Sequence, residues 1–134
     1  MADTSIQIGD LQGTRVLVTG GSTGIGAAVA LGFAEQGAQV VVHYNASQAG
    51  AEQLRQQAGG RIHLVQGELA TPGVATRVVD EAASLLGGLD GLINNAGSML
   101  GRIPTVEASV DHFDQVIHLN ARSRSEERRV GKEC

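Results

Sequence analysis

The amino-acid sequence predicts an α/β protein built on a doubly wound parallel sheet of about four strands, in the order 3-2-1-4. Four short apolar runs are bounded by glycine or polar residues, and they lie at residues 15–19, 39–44, 61–66 and 89–94. Such runs are typical of strands that are buried on both faces of a parallel sheet. Helical patterns separate them, and this alternation indicates consecutive βαβ units with helices on both sheet faces.

Three helices are predicted between these runs. The first is expected over residues 24–36, the second near residues 47–57 and the third between Pro72 and Gly87. The apolar positions with helical spacing are Ile25, Val29, Gly32 and Phe33 in the first helix, and Val74, Val78, Ala82 and Leu85 in the third. The second helix is expected to be half covered, because Leu54 is its only large apolar residue.

Length and charge limit the class of protein. A chain of 134 residues has room for one domain. The net charge is −4 and no cluster of Lys or Arg occurs before residue 122, so neither nucleic acid nor an anionic membrane is an expected partner. The sequence has neither a secretory leader pattern nor a run of about 18 apolar residues, so we expect a cytoplasmic protein.

No metal site is expected. The only cysteine is Cys134, which argues against a disulfide framework and against a cysteine-based metal site. The spacings of the histidines, His43, His63, His112 and His118, fit no pattern of metal ligands.

A glycine-rich loop, Thr19–Gly26, lies between the first predicted strand and the first predicted helix. There the backbone N–H groups and the positive end of the helix dipole can hold a pyrophosphate. Gly20 permits the tight turn, Gly24 lets phosphate reach the backbone, and Gly26 lets the helix pack closely on the strand. The candidate cofactor-binding residues of this Rossmann-type loop are Gly20, Ser22, Thr23, Gly24, Ile25 and Gly26. A P-loop is excluded, because no Gly-Lys-Ser/Thr follows.

Three motifs together resemble the short-chain dehydrogenase/reductase family over roughly residues 10–122. They are the spacing Gly-x-x-x-Gly-x-Gly, the sequence Asn94-Asn95-Ala96-Gly97 and Asn120 in VIHLN. The resemblance implies an NAD(P)-dependent carbonyl/alcohol oxidoreductase. In it Asn95, Ala96 and Gly97 stabilise the central sheet, and their backbone lies beside the riboses of the cofactor. It also implies that Asn120 is the catalytic asparagine, placed where its helix is kinked and holding a water of the proton relay.

The end of the second strand bears on the choice of cofactor. NAD-using relatives carry an acidic residue there that binds the ribose 2′-hydroxyl, whereas this sequence has Tyr44 followed by Asn45. No carboxylate at that position repels a 2′-phosphate, so NADP(H) is favoured over NAD(H). At the end of the third strand, Glu68 and Leu69 stand where relatives carry an aspartate that contacts the adenine.

The family's remaining catalytic residues are not found in this sequence. Relatives use a Ser and a Tyr-x-x-x-Lys that lie downstream of the asparagine. Here Tyr44 is the single tyrosine, followed four residues later by Gln48, and Lys132 is the single lysine. We therefore expect an N-terminal fragment that is inactive by itself, from a parent that is a homo-oligomer acting on a small carbonyl or alcohol. A non-catalytic dinucleotide-binding or sensing module is the alternative, and the downstream sequence would discriminate the two.

The last residues differ from the rest of the chain. RSEERRVGKEC at 124–134 is dense in charge and matches a translated sequencing-library adapter. We interpret residues 1–123 as an incomplete dinucleotide-binding domain and residues 124–134 as an artefactual tail.

Overall fold

The computed structural model describes residues 6–98, 100 and 103–126. Its strands are β1 Arg15–Val18, β2 Gln39–Tyr44, β3 Ile62–Gln66 and β4 Gly91–Ile93. Its α-helices are α1 Gly24–Glu35, α2 Gln48–Gln57, α3 Val74–Leu86, α4 Val110–Ile117 and α5 Ser123–Glu126. Single 3₁₀ turns lie at Gly9–Leu11 and Thr105–Glu107, and a π-helical turn at His118–Arg122 joins α4 to α5.

The strands form one sheet in the order β3-β2-β1-β4, and every neighbouring pair is parallel. In this register Leu17 of β1 lies between Val41 of β2 and Leu92 of β4. The predicted fold class and strand order are therefore confirmed. The observed strands are up to three residues shorter than the predicted runs, and β4 differs most.

Helices cover both faces of the sheet. Leu17, Val41 and Val65 pack on one face against α3, whereas Val16, Val18, Val40 and Val42 pack on the other face against α1 and α2. Because both faces are apolar, β1 and β2 are continuous valine-rich runs without alternation, whereas β3 at the edge of the sheet has exposed His63 and Gln66. The α2 residues Ala51 and Leu54 are buried, as the half-covered second helix requires.

The predicted apolar faces of two helices need correction. In α1 the buried residues are Gly26, Ala30 and Ala34, whereas Ile25 is 78% exposed and Gly32 is also exposed. Nearly every residue of α1 is small or apolar, so spacing alone does not select a face. In α3, Leu86 is buried and Leu85 is 48% exposed, because the helix rotates Leu86 toward the sheet.

The fourth helix does not run unbroken to Arg122, which agrees with the kink at Asn120 that the family resemblance implies. It becomes π-helical at His118, which adds a residue to the turn and rotates the residues that follow. The α4 residues Phe113 and Ile117 are 61% and 41% exposed. His118 and Leu119 are buried instead.

Two further features concern the chain as a whole. Within the described part of the chain, no helix combines the length and the apolar character that crossing a membrane requires. Residues 124–126 of the proposed tail belong to α5, and residues 127–134 lie outside the described residues. The boundary at residue 123 stays a prediction.

Candidate functional site

A cleft of about 440 Å³ opens at the carboxyl ends of the strands. This edge of an open parallel sheet is where such folds bind ligands. The predicted site residues that line it are Gly20, Ser22, Thr23, Tyr44, Asn45, Glu68, Leu69, Asn95, Ala96 and Gly97. Gly24, Ile25, Gly26 and Asn120 lie outside this lining, and the side chain of Ile25 points into solvent.

The glycine loop connects β1 to the start of α1 along one wall of the cleft. Gly20 and Gly24 have φ angles of 62° and 57°, in the left-handed region that favours glycine. At the N-cap of α1 the Thr23 side chain makes no capping hydrogen bond. The first backbone N–H groups of α1 thus keep their capacity to bind an anion.

Gly26 is packed too closely for any side chain. A Cβ atom there would collide with the Asn95 amide nitrogen and the Gly20 carbonyl oxygen, and would lie 2.9 Å from the Cα of Gly21. The expected close approach is present, but its partners are the glycine loop and Asn95 and not the first strand.

The segment after β4 is tied to the glycine loop by three hydrogen bonds. The backbone N–H groups of Asn95 and Ala96 both donate to the Thr19 hydroxyl, each across 3.1 Å. The Asn95 side chain donates to the carbonyl oxygen of Gly20 across 2.9 Å. Thr19 is itself buried, so these bonds join β1 and β4 at the floor of the cleft.

His43 is a site residue that the sequence analysis missed. It is 3% exposed, and its ring lies between the glycine loop and the residue after β3. The Gly20 N–H donates to Nδ1 across 3.1 Å, and Nε2 lies 2.7 Å from the Gly67 carbonyl oxygen. Burial lowers the pKa of His43 below its usual value, although the Gly67 hydrogen bond opposes this shift. The sequence does carry one signal of this role, because His43 is a polar residue that directly follows three buried valines in β2.

At the far end of the cleft, Asn45 and Glu68 form a pair. The Asn45 amide donates to the Glu68 carboxylate across 2.7 Å, and the same carboxylate accepts the backbone N–H of Ala70 across 3.1 Å. Tyr44 beside them is partly buried. The side chain of Leu69 is 1% exposed and belongs to the core, so it contributes shape and not a polar group.

Asn120 faces Ser98, in the segment that follows β4. Its amide nitrogen donates to the carbonyl oxygens of Ser98 at 2.6 Å and Val116 at 2.9 Å, and its oxygen accepts the Ser98 N–H at 3.1 Å. The π-helical turn gives the asparagine this direction. A side chain at Gly97 would be 2.7 Å from the Asn120 oxygen, which explains a glycine there.

Other lining residues were also missed as site residues: Ala46, Ser47, Ser98, Leu100 and Leu119. Leu119 lies in the π-helical turn, and helical spacing in the sequence does not reveal such a turn. Among the described residues, no group of three or more His, Cys, Asp or Glu side chains is placed to hold a metal ion.

Comparisons with known proteins agree with this geometry. The family model described as short chain dehydrogenase matches residues 14–126. The 3beta-hydroxysteroid dehydrogenase 1 of Eggerthella lenta is 36% identical over 114 residues, which are 83% of this chain and 43% of that protein.

Solved structures are similar as well. A short chain dehydrogenase from Burkholderia cenocepacia in complex with NADP has a TM-score of 0.83 and 35% identity, over 90% of this chain and 50% of that one. An NADH-dependent reductase, A1-R′, responsible for alginate metabolism, has a TM-score of 0.82 and 31% identity, over 92% of this chain and 52% of that one. The chain thus spans about half the length of the relatives it matches. By its sequence and its fold, the chain belongs to the short chain dehydrogenase family.

Proposed function

We propose that the cleft binds a nicotinamide dinucleotide and that the whole protein is an oxidoreductase for a small carbonyl or alcohol. The observation that carries this proposal is the glycine loop. It places Gly20, Ser22 and Thr23 on one wall of a cleft at the carboxyl ends of parallel strands, and α1 begins directly after them at Gly24. Backbone N–H groups and a helix dipole at that position suit a pyrophosphate.

The residues present fit the rest of such a cofactor. Tyr44, Asn45 and Glu68 form the end of the cleft beyond β2 and β3, which would hold the adenosine. Asn95, Ala96 and Gly97 line the other end, which would hold the nicotinamide ribose. The bound cofactor would supply or accept hydride. The protein's own residues position it and exclude water from that surface.

We propose that NADP(H) is preferred to NAD(H). No carboxylate stands at Tyr44, and the hydroxyl groups of Ser22, Thr23 and Ser47 line the same cleft and can donate hydrogen bonds to a 2′-phosphate. The Glu68 carboxylate, which could oppose this preference, already accepts hydrogen bonds from Asn45 and Ala70. One similar structure holds NADP and another is described as NADH-dependent, so the family accommodates both cofactors.

The catalytic part of the proposal concerns the whole protein. Asn120 is the one candidate catalytic residue in this sequence, and no Tyr-x-x-x-Lys is present. We propose that the chain alone lacks activity, because general acid–base help is worth typically about 10²–10⁴-fold. The alternative is a non-catalytic dinucleotide-binding or sensing module. This alternative is favoured if the whole protein, like this chain, has no Tyr-x-x-x-Lys.

We also propose that the whole protein is cytoplasmic and forms a homo-oligomer. Val110, Phe113 and Ile117 form an exposed apolar stripe on α4. A stripe of this kind is usually covered in a stable assembly. Residues 124–134 are proposed to be an artefactual tail without a role in it.

The experiment that tests the activity compares two proteins, the whole coding region and the 134-residue chain. NADPH oxidation is followed spectroscopically with a panel of small aldehydes and ketones. We expect carbonyl-dependent oxidation by the whole protein and none by the chain. A whole protein that binds cofactor, contains no Tyr-x-x-x-Lys and oxidises nothing would instead establish the binding module.

A further inference from the structure

We propose that His43 is a positioning residue that holds the glycine loop in its binding shape, and that it does so only while its imidazole is neutral. This inference rests on the proposed function, because the loop is the expected pyrophosphate site. His43 is not expected to touch the reacting atoms. It acts through the backbone of Gly20.

The two partners of the ring determine its protonation. The Gly67 carbonyl oxygen can only accept a hydrogen bond, so Nε2 must carry the hydrogen. The Gly20 N–H can only donate, so Nδ1 must present its lone pair. Both bonds exist together only in the neutral tautomer that is protonated at Nε2.

The backbone N–H and carbonyl groups of Gly20 are bound by residues from the strands on either side of β1. His43 of β2 accepts the Gly20 N–H, and the side-chain amide of Asn95, two residues after β4, donates to the Gly20 carbonyl oxygen. The next residue, Gly21, donates its own N–H to the His43 carbonyl oxygen across 3.0 Å. The neighbouring strands therefore hold the loop at this point in the conformation that its glycines permit.

Protonation would break this arrangement. A second hydrogen on Nδ1 would point at the Gly20 N–H, so two donors would face each other where a hydrogen bond now exists. The charged groups facing the ring oppose each other, since Glu68 favours protonation and Arg77 disfavours it, and burial outweighs both. Because burial lowers the pKa of His43, the ring stays neutral at pH 7 and the loop is released only in acid.

The lowered pKa of His43 determines how cofactor affinity depends on pH. The cofactor affinity is expected to be constant above the ordinary histidine range and to fall as the pH decreases through the lowered pKa of His43. The loss of one hydrogen bond of this kind corresponds to about a three- to tenfold weaker affinity.

The first arm of the test uses nuclear magnetic resonance on the unaltered chain without cofactor. Ring-nitrogen shifts report the tautomer of His43, and the Gly20 amide shift is followed from about pH 8 to pH 5. We expect hydrogen on Nε2 at neutral pH and a Gly20 amide that shifts with the titration of the ring. Hydrogen on Nδ1, or a Gly20 amide that stays still while the ring protonates, would overturn the inference.

The second arm measures binding of NAD⁺ by calorimetry over the same pH range. NAD⁺ is the suitable probe because its diphosphate keeps its charge, whereas a 2′-phosphate titrates near pH 6. His43→Asn keeps an acceptor near the Nδ1 position and removes the titrating group. His43→Gln keeps a donor near the Nε2 position instead.

We expect the unaltered chain to lose affinity in acid, His43→Asn to bind with little dependence on pH, and His43→Gln to bind weakly at every pH. Equal acid sensitivity in the unaltered chain and in His43→Asn would overturn the role of His43. If neither NAD⁺ nor NADP⁺ binds to any form, the proposed function fails, and the resonance arm still decides whether His43 holds the loop.

Discussion

The side-chain amide of Asn95 donates a hydrogen bond to the carbonyl oxygen of Gly20 across 2.9 Å. The two residues are 75 positions apart in sequence, yet the bond joins the first turn after β1 to the first residues after β4. It therefore connects two motifs, the glycine loop and the Asn-Asn-Ala-Gly segment, into one surface. This hydrogen bond is a physical reason why the glycine loop and the Asn-Asn-Ala-Gly segment occur together in one sequence.

Removing this bond should weaken both the fold and the site. Asn95→Ala leaves the Gly20 carbonyl oxygen without its partner, so we expect a loss of about 1–3 kcal/mol in the free energy of unfolding. Urea unfolding measures it. The matched control is Asn94→Ala, since Asn94 is exposed at the adjacent position and should change stability by less than about 0.5 kcal/mol. Equal losses in the two variants would contradict the role of Asn95.

Two glycines of α1 provide a second comparison. Gly26→Ala introduces a Cβ against Asn95 and the glycine loop, so we expect a destabilisation of about 1–3 kcal/mol and loss of cofactor binding. Gly32→Ala introduces the same atom into open space and should stabilise the helix by about 0.5–1 kcal/mol. Chemical denaturation and cofactor titration measure the two effects. A stable Gly26→Ala variant that binds cofactor would show that the close packing is not required.

The pair Arg15 and Asp90 makes stability depend on pH. Hydrogen bonds from the Arg15 guanidinium and from its backbone N–H hold the pKa of Asp90 at about 2. The unfolded chain takes up this proton first, near pH 4, as the pH falls. The stability contributed by the pair is thus complete above about pH 5 and is lost as the pH approaches the folded pKa of Asp90.

Asp90→Asn tests this linkage. The variant should be less stable than the unaltered chain at neutral pH. The difference should shrink as the pH falls toward 2, because the Asp90 carboxylate of the unaltered chain is then increasingly protonated in the folded state as well. Urea unfolding at several pH values measures it. Asp114→Asn is the control, since Asp114 is exposed. A difference between Asp90→Asn and the unaltered chain that does not vary with pH would be contrary to this linkage.

Tyr44 provides a test of cofactor choice. Tyr44→Asp adds an acceptor for a 2′-hydroxyl and a charge that repels a 2′-phosphate, so the ratio of NADP⁺ to NAD⁺ affinity should fall by roughly tenfold or more. Tyr44→Phe is the control, because it keeps the ring and adds no charge. Calorimetric dissociation constants for both cofactors give the ratio. A preference of the unaltered chain for NAD⁺ would overturn the proposed NADP(H) preference.

The strands and helices could be predicted because each is a local pattern in the sequence, as the valine-rich runs of β1 and β2 show, and the alternation of strands and helices in βαβ units predicts their order. Those runs are continuous since both sheet faces are covered. The face of α1 could not be predicted in the same way, because its residues are apolar or small all round. Its sheet contact is instead made with the help of Ala30 and Ala34, whose small size allows close packing.

The site was predictable where a motif identifies it and not where contacts between distant residues form it. Gly20 and Asn95 belong to recognisable motifs. His43 is linked to Gly20 from 23 positions away, and only the folded sheet brings its ring to the loop. The direction of Asn120 depends on the π-helical turn, which leaves no periodic signal in the sequence.

The claim that this cleft binds a nicotinamide dinucleotide is tested most directly by calorimetric titration of the 134-residue chain with NADP⁺ and NAD⁺ at neutral pH. We expect saturable binding of one cofactor per chain, tighter for NADP⁺, abolished in Gly26→Ala and retained in Gly32→Ala. Circular dichroism establishes that each protein is folded. A folded, unaltered chain that binds neither NADP⁺ nor NAD⁺ would contradict the claim.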